Sequence, residues 1–312
     1  MTYTIGVDIG GTKVATAIVD QYGSIISKKE VVSNPIDKEA MFLQVIKSID
    51  AVLDTSNLTK DSISRIGVGV PGKVDSEKGI AVFQNNLPWR NFPLVDRLRE
   101  HFLTQDIVIE NDVYMAAYAE WRKLRAARKQ DTFVYVTIST GISCSIIHHG
   151  SFLRGCGFAG ELGLYPVISN SSPNGINKLE QVASGLAIQK LARKQFGNKH
   201  MTTRDLFNEY HKGNKIAKQI IKDVTESLAH AIYALVCLLD PNKIVLGGGV
   251  INNQPFLLNL VKNELNRFLI LEQQHVLSCI STSYYKGDSG IIGAAMRGEA
   301  SNNKEKQGTK LI

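Results

Sequence analysis

The pattern that most restricts this chain is a strand, a small turn and a second strand, met twice. TYTIGVDI passes through Gly10-Gly11-Thr12 into KVATAIVD, and the apolar, β-branched residues on both sides read as short strands with a tight reversal between them. Near the middle, DTFVYVTIS passes through Ser139-Thr140-Gly141 into CSIIHHGSFL, which reads as a second strand pair around a glycine turn. Further strands and helices follow each pair. In the first half, Met41, Val45, Ile49 and Val52 keep helical spacing over about 37–53, RIGVGVPG is a buried strand ending on Pro71-Gly72, and DIVIEND is a strand opening into the helix VYMAAYAEWRKL. In the second half, helices are expected over 185–196, 203–211 and 215–239, with KIVLGGGV a buried strand, HVLSCIS a last strand and GIIGAAMRGEA a closing helix. The rhythm predicts a duplicated α/β unit with a cleft between the copies. A chain of 312 residues accommodates two lobes of roughly 150 residues each.

Bulk properties narrow the classes. Apolar residues at 44% and charged residues at 21% are those of a globular protein. The longest apolar run, Ala231 to Leu239, falls well short of the ~20 residues that span a bilayer, and Met1-Thr2-Tyr3 enters a strand with no secretory apolar region before it. The expectation is a cytoplasmic protein with no membrane partner. Cys144, Cys156, Cys237 and Cys279 are scattered, without a CxxC pair, and read as reduced thiols rather than a disulfide or zinc framework. Much of the formal charge of +7 sits around Arg122 to Lys129 and Lys212 to Lys222. Both read as solvated helix faces, so the charge does not call for a nucleic-acid partner.

Several turns carry residues suited to phosphate and hydroxyl chemistry. In Asp8-Ile9-Gly10-Gly11-Thr12-Lys13 two glycines let backbone amides approach a phosphate, Thr12 adds a hydroxyl, and Asp8 at a strand end suits a hydrated Mg²⁺. The pattern is not GxxxxGK[ST] before a helix, so it is not a Walker loop, and a plain glycine hairpin is the alternative. Gly72 ends a strand on bare backbone, and Asn85-Asn86 nearby can read sugar hydroxyls with donors and acceptors; a structural turn reads equally well. In Glu110-Asn111-Asp112, Asp112 precedes an apolar helix, where a carboxylate can take a proton from an attacking hydroxyl or simply cap the helix. Thr140-Gly141 parallels the first turn. Glu161 sits among small residues in GFAGELG, Glu180 opens a helical stretch, and Gly247-Gly248-Gly249 would let a flat ring lie on the backbone.

Taken in order, DIGGTK, GVGVPGKVD, NNLPWRNFPL, ENDVYMAAYAEW, STG, AGELG, LEQVASG and LGGGV resemble the ROK family of sugar kinases and repressors over residues 3 to 298. The resemblance implies the actin-like, ribonuclease H-like fold of two lobes. The N-terminal lobe would be 1–120 completed by a helix at 288–300, the C-terminal lobe 121–287, and 301–312 a polar tail. It implies ATP-dependent phosphorylation of a hexose or hexose derivative on the 6-hydroxyl, with glucose the default and N-acetylmannosamine next. Asp112 would be the base. Asp8, Gly10, Gly11, Thr12 and Lys13, with Thr140 and Gly141, would handle Mg²⁺ and the phosphates of ATP, Asp8 reaching the metal through water. Gly247 and Gly248 would meet the nucleoside, and Gly72, Asn85, Asn111, Asp112, Glu161 and Glu180 the sugar. A homodimer is implied as well. Phosphoryl transfer asks for positioning, charge neutralisation and one base, which these residues provide.

Two stretches depart from the family's pattern. Leu164 stands where the family has a zinc-binding His, and SSPNGINK replaces its cysteine-rich stretch, so no zinc is expected. Ser143-Cys144-Ser145 stands where the family's second phosphate loop is glycine-rich. A catalytically silent sugar-binding sensor of the same fold is therefore the alternative function. The repressors carry a helix-turn-helix domain ahead of the sugar-kinase lobe. Here that lobe starts at residue 3, so a kinase rather than a repressor is expected.

Overall fold

A computed structural model describes residues 2–84, 86–102, 106–124, 131–169 and 175–297. The chain divides into two compact units, Met1–Arg125 with Asp288–Ile312, and Ala126–Gly287.

The first unit is built on strands β1 (Tyr3–Ile9), β2 (Lys13–Val19), β3 (Ile25–Val32), β4 (Ile63–Val70) and β8 (Ile107–Asn111), in the order β3-β2-β1-β4-β8. β1 pairs antiparallel with β2 and β2 with β3, whereas β1–β4 and β4–β8 are parallel. Between β4 and β8 come β5 (Lys73–Asp75), β6 (Ile80–Phe83) and β7 (Arg90–Phe92), which form a small separate sheet, and helix α2 (Leu94–Phe102). Helix α1 (Lys38–Ser56) starts where the Asp37 carboxylate accepts from the amides of Glu39 and Ala40 and stops at left-handed Asn57. Its buried stripe, including Met41, Val45, Ile49 and Val52, packs in a core with Ile5, Val7, Val68 and Trp89. Helix α3 (Asp112–Leu124) follows β8 without a break, and the last described helix, α11 (Ser289–Arg297), returns to this unit. α11 lies hard against the sheet because a Cβ on Gly6 or Gly67 would overlap the carbonyls of Ile291 and Ala294. That close approach sets the first turn of α11 beside Asp8.

The second unit repeats the plan. Strands β9 (Thr132–Ile138), β10 (Ile142–His148) and β11 (Ser151–Phe152) are followed by β12 (Pro166–Ile168) and β13 (Ile176–Lys178), which pair only with each other. Helices α4 (Glu180–Ala183), α5 (Gly185–Phe196), α6 (Thr203–His211) and α7 (Lys215–Leu239) lead to β14 (Lys243–Gly247), α8 (Gly248–Asn253), α9 (Leu257–Leu265), α10 (Val276–Cys279) and β15 (Ile280–Thr282). The main sheet runs β11-β10-β9-β14-β15, again with two antiparallel pairs followed by two parallel ones. Helices α5, α6 and α7 fall on the expected bounds, and each starts at a side-chain N-cap, Ser184, Thr202 and Asn214 respectively.

Two local expectations are corrected. HVLSCIS is not one strand: Val276–Cys279 is helical and only Ile280–Thr282 pairs with β14. Ser143, Cys144 and Ser145 are not loop residues, since β10 already begins at Ile142 and the three pair with Thr137, Val136 and Tyr135. The polar tail from 301, residues 298–300 of the expected closing helix, 171–174 of the zinc-replacing stretch and 125–129 of the basic helix face lie outside the described residues. Among the described residues no helix is long and apolar enough to cross a membrane.

Candidate active site

In the first unit the Gly10–Thr12 turn is fixed at the ends of β1 and β2. Gly10 N donates to Lys13 O at 2.9 Å. Ser33, at the end of β3, donates its hydroxyl to Gly10 O at 2.6 Å and its amide to Thr12 O at 3.0 Å. Thr12 itself is exposed. Lys13 points its ammonium at Glu30, 2.8 Å away, and Lys28 bridges Glu30 and Asp288 at 3.1 and 2.8 Å. Asp8, one residue before the end of β1, has its carboxyl pushed up to about 7, first by burial and then by the Asp112 carboxylate, against the opposing pull of Lys13 and Lys28. Gly290 backs directly onto it: a Cβ there would stand 2.9 Å from Asp8 Oδ2.

Asp112 belongs to this cluster. Its Cα lies 3.5 Å from where a Cβ on Gly69 would be, at the end of β4. The choice between base and helix cap is narrowed by Asn111, whose Oδ1 accepts from the amides of Val113 at 2.9 Å and Tyr114 at 3.3 Å. Asn111 is the cap. Asp112 is the first helical residue, with Oδ1 accepting from Val113 N at 2.9 Å. Asn111 Nδ2 donates to Gly72 O at 2.9 Å. Gly72 has φ +80°, and a Cβ there would overlap Phe83 O, so the turn needs glycine on both counts. Asn85 lies outside the described residues, but its neighbour Asn86 sits against the phosphate-type turn, 3.0 Å from a Cβ on Gly11. Asp8, Gly10, Gly11, Gly72, Asn111 and Asp112 thus gather at one end of one sheet.

The second unit gathers the others. Its Ser139–Gly141 turn occupies the same topological position as Gly10–Thr12, with Ser139 N donating to Gly141 O at 2.9 Å. The Glu180 carboxylate lies 3.6 Å from a Cβ on Gly141 and 3.2 Å from one on Gly163. Glu161 is held above the ordinary carboxylate range by partial desolvation and then by Glu180, so these two acids are neighbours. Ser143 donates its hydroxyl to Gly160 O at 3.2 Å, and Cys144 is buried with its thiol pushed up to about 12 by burial and then by Glu161. Such a thiol is structural rather than reactive. Leu164 is exposed one turn beyond Glu161.

Beside the Thr140 turn opens a cavity of about 650 Å³, lined by Thr140, Leu186, Phe207, Gly249, Val250 and Asn253 among others. Its size and mixed lining suit a nucleotide-sized ligand. The glycine run is sorted by what each member faces. Gly247 is buried against the Tyr135 hydroxyl, Gly248 at φ +84° backs onto Ile138, and Gly249 alone of the three faces open space and lines the cavity. Gly247 and Gly248, the two expected to meet a nucleoside, are not in the lining of this cavity, whereas Gly249 is. Ser33 and Gly290 were missed outright, because a serine at a strand end and a glycine opening a helix carry no distinguishing pattern.

Two sheets of one repeated order, each with a turn suited to phosphate at the end of its first strand, define the actin-like two-domain fold of sugar kinases. The chain belongs to the ROK family, whose model matches residues 4–298. It is 28% identical to a glucokinase of Halalkalibacterium halodurans, with 98% of each chain covered. It is 31% identical to the bifunctional enzyme NanE/NanK of Brucella melitensis over 92% of this chain and 52% of that one. Among solved structures, a ROK family glucokinase from Streptomyces griseus in complex with glucose and AMPPNP superposes with a TM-score of 0.78 at 26% identity, covering 94% of this chain and 98% of that one.

Proposed function

We propose that this chain transfers the γ-phosphoryl group of ATP to the 6-hydroxyl of a hexose, glucose first and N-acetylmannosamine next, with Asp112 as the general base. The chain is an ATP-dependent sugar kinase. The observation that carries the residue assignment is the pairing of Asp8 and Asp112 at one sheet end. Two carboxylates side by side cost stability, and a purely structural site has no need of them.

In this reading Asp112 accepts the proton as the sugar oxygen bonds to the γ-phosphorus and the bridging oxygen leaves with ADP. A positioned base of this kind is worth on the order of 10²- to 10⁴-fold. The position of Asp112 at the first turn of α3 holds the carboxylate rigidly, and Asn111 relieves it of sole capping duty. Amides and hydroxyls of Gly10, Gly11, Thr12, Thr140 and Gly141, with the Lys13 ammonium, orient and neutralise phosphate oxygens. Mg²⁺ fits Asp8, a hard oxygen donor that burial and Asp112 make receptive to positive charge, and would neutralise phosphate charge there. Gly249 and the cavity beside it take the nucleoside. Gly72, the Asn85-Asn86 loop, Asn111, Glu161 and Glu180 bind the sugar, and exposed Leu164 leaves a hydroxyl-reading position apolar. The supply of ATP supports a cytoplasmic enzyme, and the family resemblance supports a homodimer.

The silent sensor rested on Ser143–Ser145 crowding a phosphate loop, and these residues lie within β10. The test is ADP release from MgATP across glucose, mannose, fructose, N-acetylglucosamine, N-acetylmannosamine and cellobiose, with phosphorus–proton NMR to locate the new ester. Stimulation by one sugar with the ester at carbon 6 is expected. No stimulation by any sugar, with glucose binding still seen by calorimetry, would return the sensor to the front.

A further inference from the structure

The side chain of Asn111 does two things at once. Its register partner in the sheet is Val70, so it ends β8 level with the strand that runs out through Pro71 into Gly72. The carboxamide oxygen accepts from Val113 N and Tyr114 N, and the nitrogen donates to Gly72 O. Only one of the two amide orientations satisfies all three partners, because the flipped group would set NH₂ against two N–H donors and oxygen against a carbonyl. The hydrogen bonds therefore fix the group at both ends.

Gly72 is in turn packed against Phe83 and Gln84. Its missing Cβ lets it press on Phe83 O and on the Gln84 Cα. The buried Gln84 side chain donates to Lys73 O at 3.2 Å. Arg90 reaches back to Gln84, donating from Nη1 to Gln84 O at 2.8 Å and Trp89 O at 2.6 Å, with its guanidinium 4.3 Å from the centre of the Phe83 ring. Trp89 anchors the far side in the core, fully buried and donating to Lys38 O at 3.0 Å. An unbroken run of side-chain-to-backbone bonds and tight contacts thus leads from Gln84 and Arg90 through Gly72 to the first turn of α3.

We infer that Asn111, besides the sugar contact proposed for it above, is a positioning residue that ties the Gly72 turn, and through it Gln84 and Arg90, to the start of α3, so that the acceptor side and Asp112 keep a fixed geometry. The inference rests on the kinase reading for its catalytic consequence and on hydrogen bonds alone for its structural one. A misplacement of about 1 Å between acceptor and base can cost ~10²-fold in rate, so the tether matters beyond the strength of one bond.

Two substitutions separate tether from cap. Asn111→Ser keeps an N-cap acceptor but cannot reach Gly72 O, and Asn111→Ala loses both. Sugar kinetics, melting temperature and hydrogen exchange by mass spectrometry are measured on the full chain. The expected result for Asn111→Ser is a melting temperature near wild type and a KM for MgATP within about twofold. Its kcat/KM for the sugar falls roughly 10- to 100-fold, and exchange quickens over residues 71–76 but not over α3. Asn111→Ala should match it in kcat/KM and fall below it in melting temperature. Wild-type kcat/KM in Asn111→Ser, with loss confined to the less stable Asn111→Ala, would reduce Asn111 to a helix cap and overturn the inference. Unchanged exchange over 71–76 in Asn111→Ser overturns it too, whether or not any sugar is phosphorylated. If exchange loosens as expected but the wild type turns over no sugar, the tether stands and the kinase reading fails.

Discussion

The two units share a strand order but not a chemistry. At the end of its first strand the first unit carries Asp8, whereas the same position of β9 carries Thr137. At the end of the parallel strand β4 the first unit turns through Pro71-Gly72 toward Asn111 and Asp112, and at the end of β14 the second turns through three glycines beside a cavity. At these strand ends the first unit therefore sets Asp8 beside Asp112, while its copy presents backbone, hydroxyls and open space, its own acid pair, Glu161 and Glu180, lying after the strand pair instead. The lesson is that the repeated sheet supplies positions and the side chains at strand ends decide what is done there. Acid–base work and metal binding are assigned to the first unit and the nucleoside to the second, and this division can be broken residue by residue.

The largest effect should come from Asp112→Asn, which keeps the shape and removes the base. Sugar-dependent ADP release should fall by ~10²-fold or more, with the melting temperature unchanged or raised, and a coupled assay with a thermal scan checks both. In the second unit the largest effect falls on nucleotide use. Gly249→Leu fills open space in the cavity, so the KM for MgATP should rise about tenfold, equivalent to ~1.4 kcal/mol, while the KM for sugar stays put. Gly249→Ala should be nearly silent.

Asp8 yields a pH prediction. Its folded-state pKa of about 7 stands above the ordinary 3.8, so between those values the folded chain holds a proton that the unfolded chain has shed. Stability then falls as pH rises through that window and stays reduced above it. Asp8→Asn should raise the melting temperature at pH 8, by a free energy on the order of 1–4 kcal/mol, and the gain should fade toward pH 4 while activity is lost. A gain independent of pH would mean that burial and Asp112 do not set the Asp8 proton. The smallest effect on nucleotide use among the disruptive substitutions is expected for Gly247→Ala, which presses on Tyr135 and should cost about 1–3 kcal/mol of stability with KM for MgATP little changed. That outcome would mark Gly247 as a packing residue, whereas a selective rise in KM would restore it to the nucleoside.

Much of this was legible in the sequence, for physical reasons that can be named. Helices α5 to α7 lie where they were expected, each behind a Ser, Thr or Asn that caps it, and the repeated strand-turn-strand pattern carried the duplicated α/β plan. HVLSCIS was misread because a short apolar run has no period long enough to separate strand from helix. For Ser143 to Ser145 the residue pattern and the resemblance disagree, since CSIIHHGSFL reads as a strand from Cys144 while the resemblance sets all three in a phosphate loop, and their pairing with β9 favours the strand. The glycine run could not be sorted in sequence, since what excludes a side chain at Gly247 is Tyr135, more than a hundred positions away. For Asp112, base and helix cap read equally well in the sequence, and only the hydrogen bonds from Val113 N and Tyr114 N to Asn111 show a neighbour taking the capping duty.

The most direct test of the division between the units is calorimetric titration of Mg·AMPPNP into wild type, Gly249→Leu and Asp112→Asn. The account predicts that Gly249→Leu binds about tenfold more weakly and that Asp112→Asn binds as wild type does while failing to turn over. Weakened binding in Asp112→Asn with wild-type binding in Gly249→Leu would contradict it, and would move the nucleoside out of the second unit's cavity.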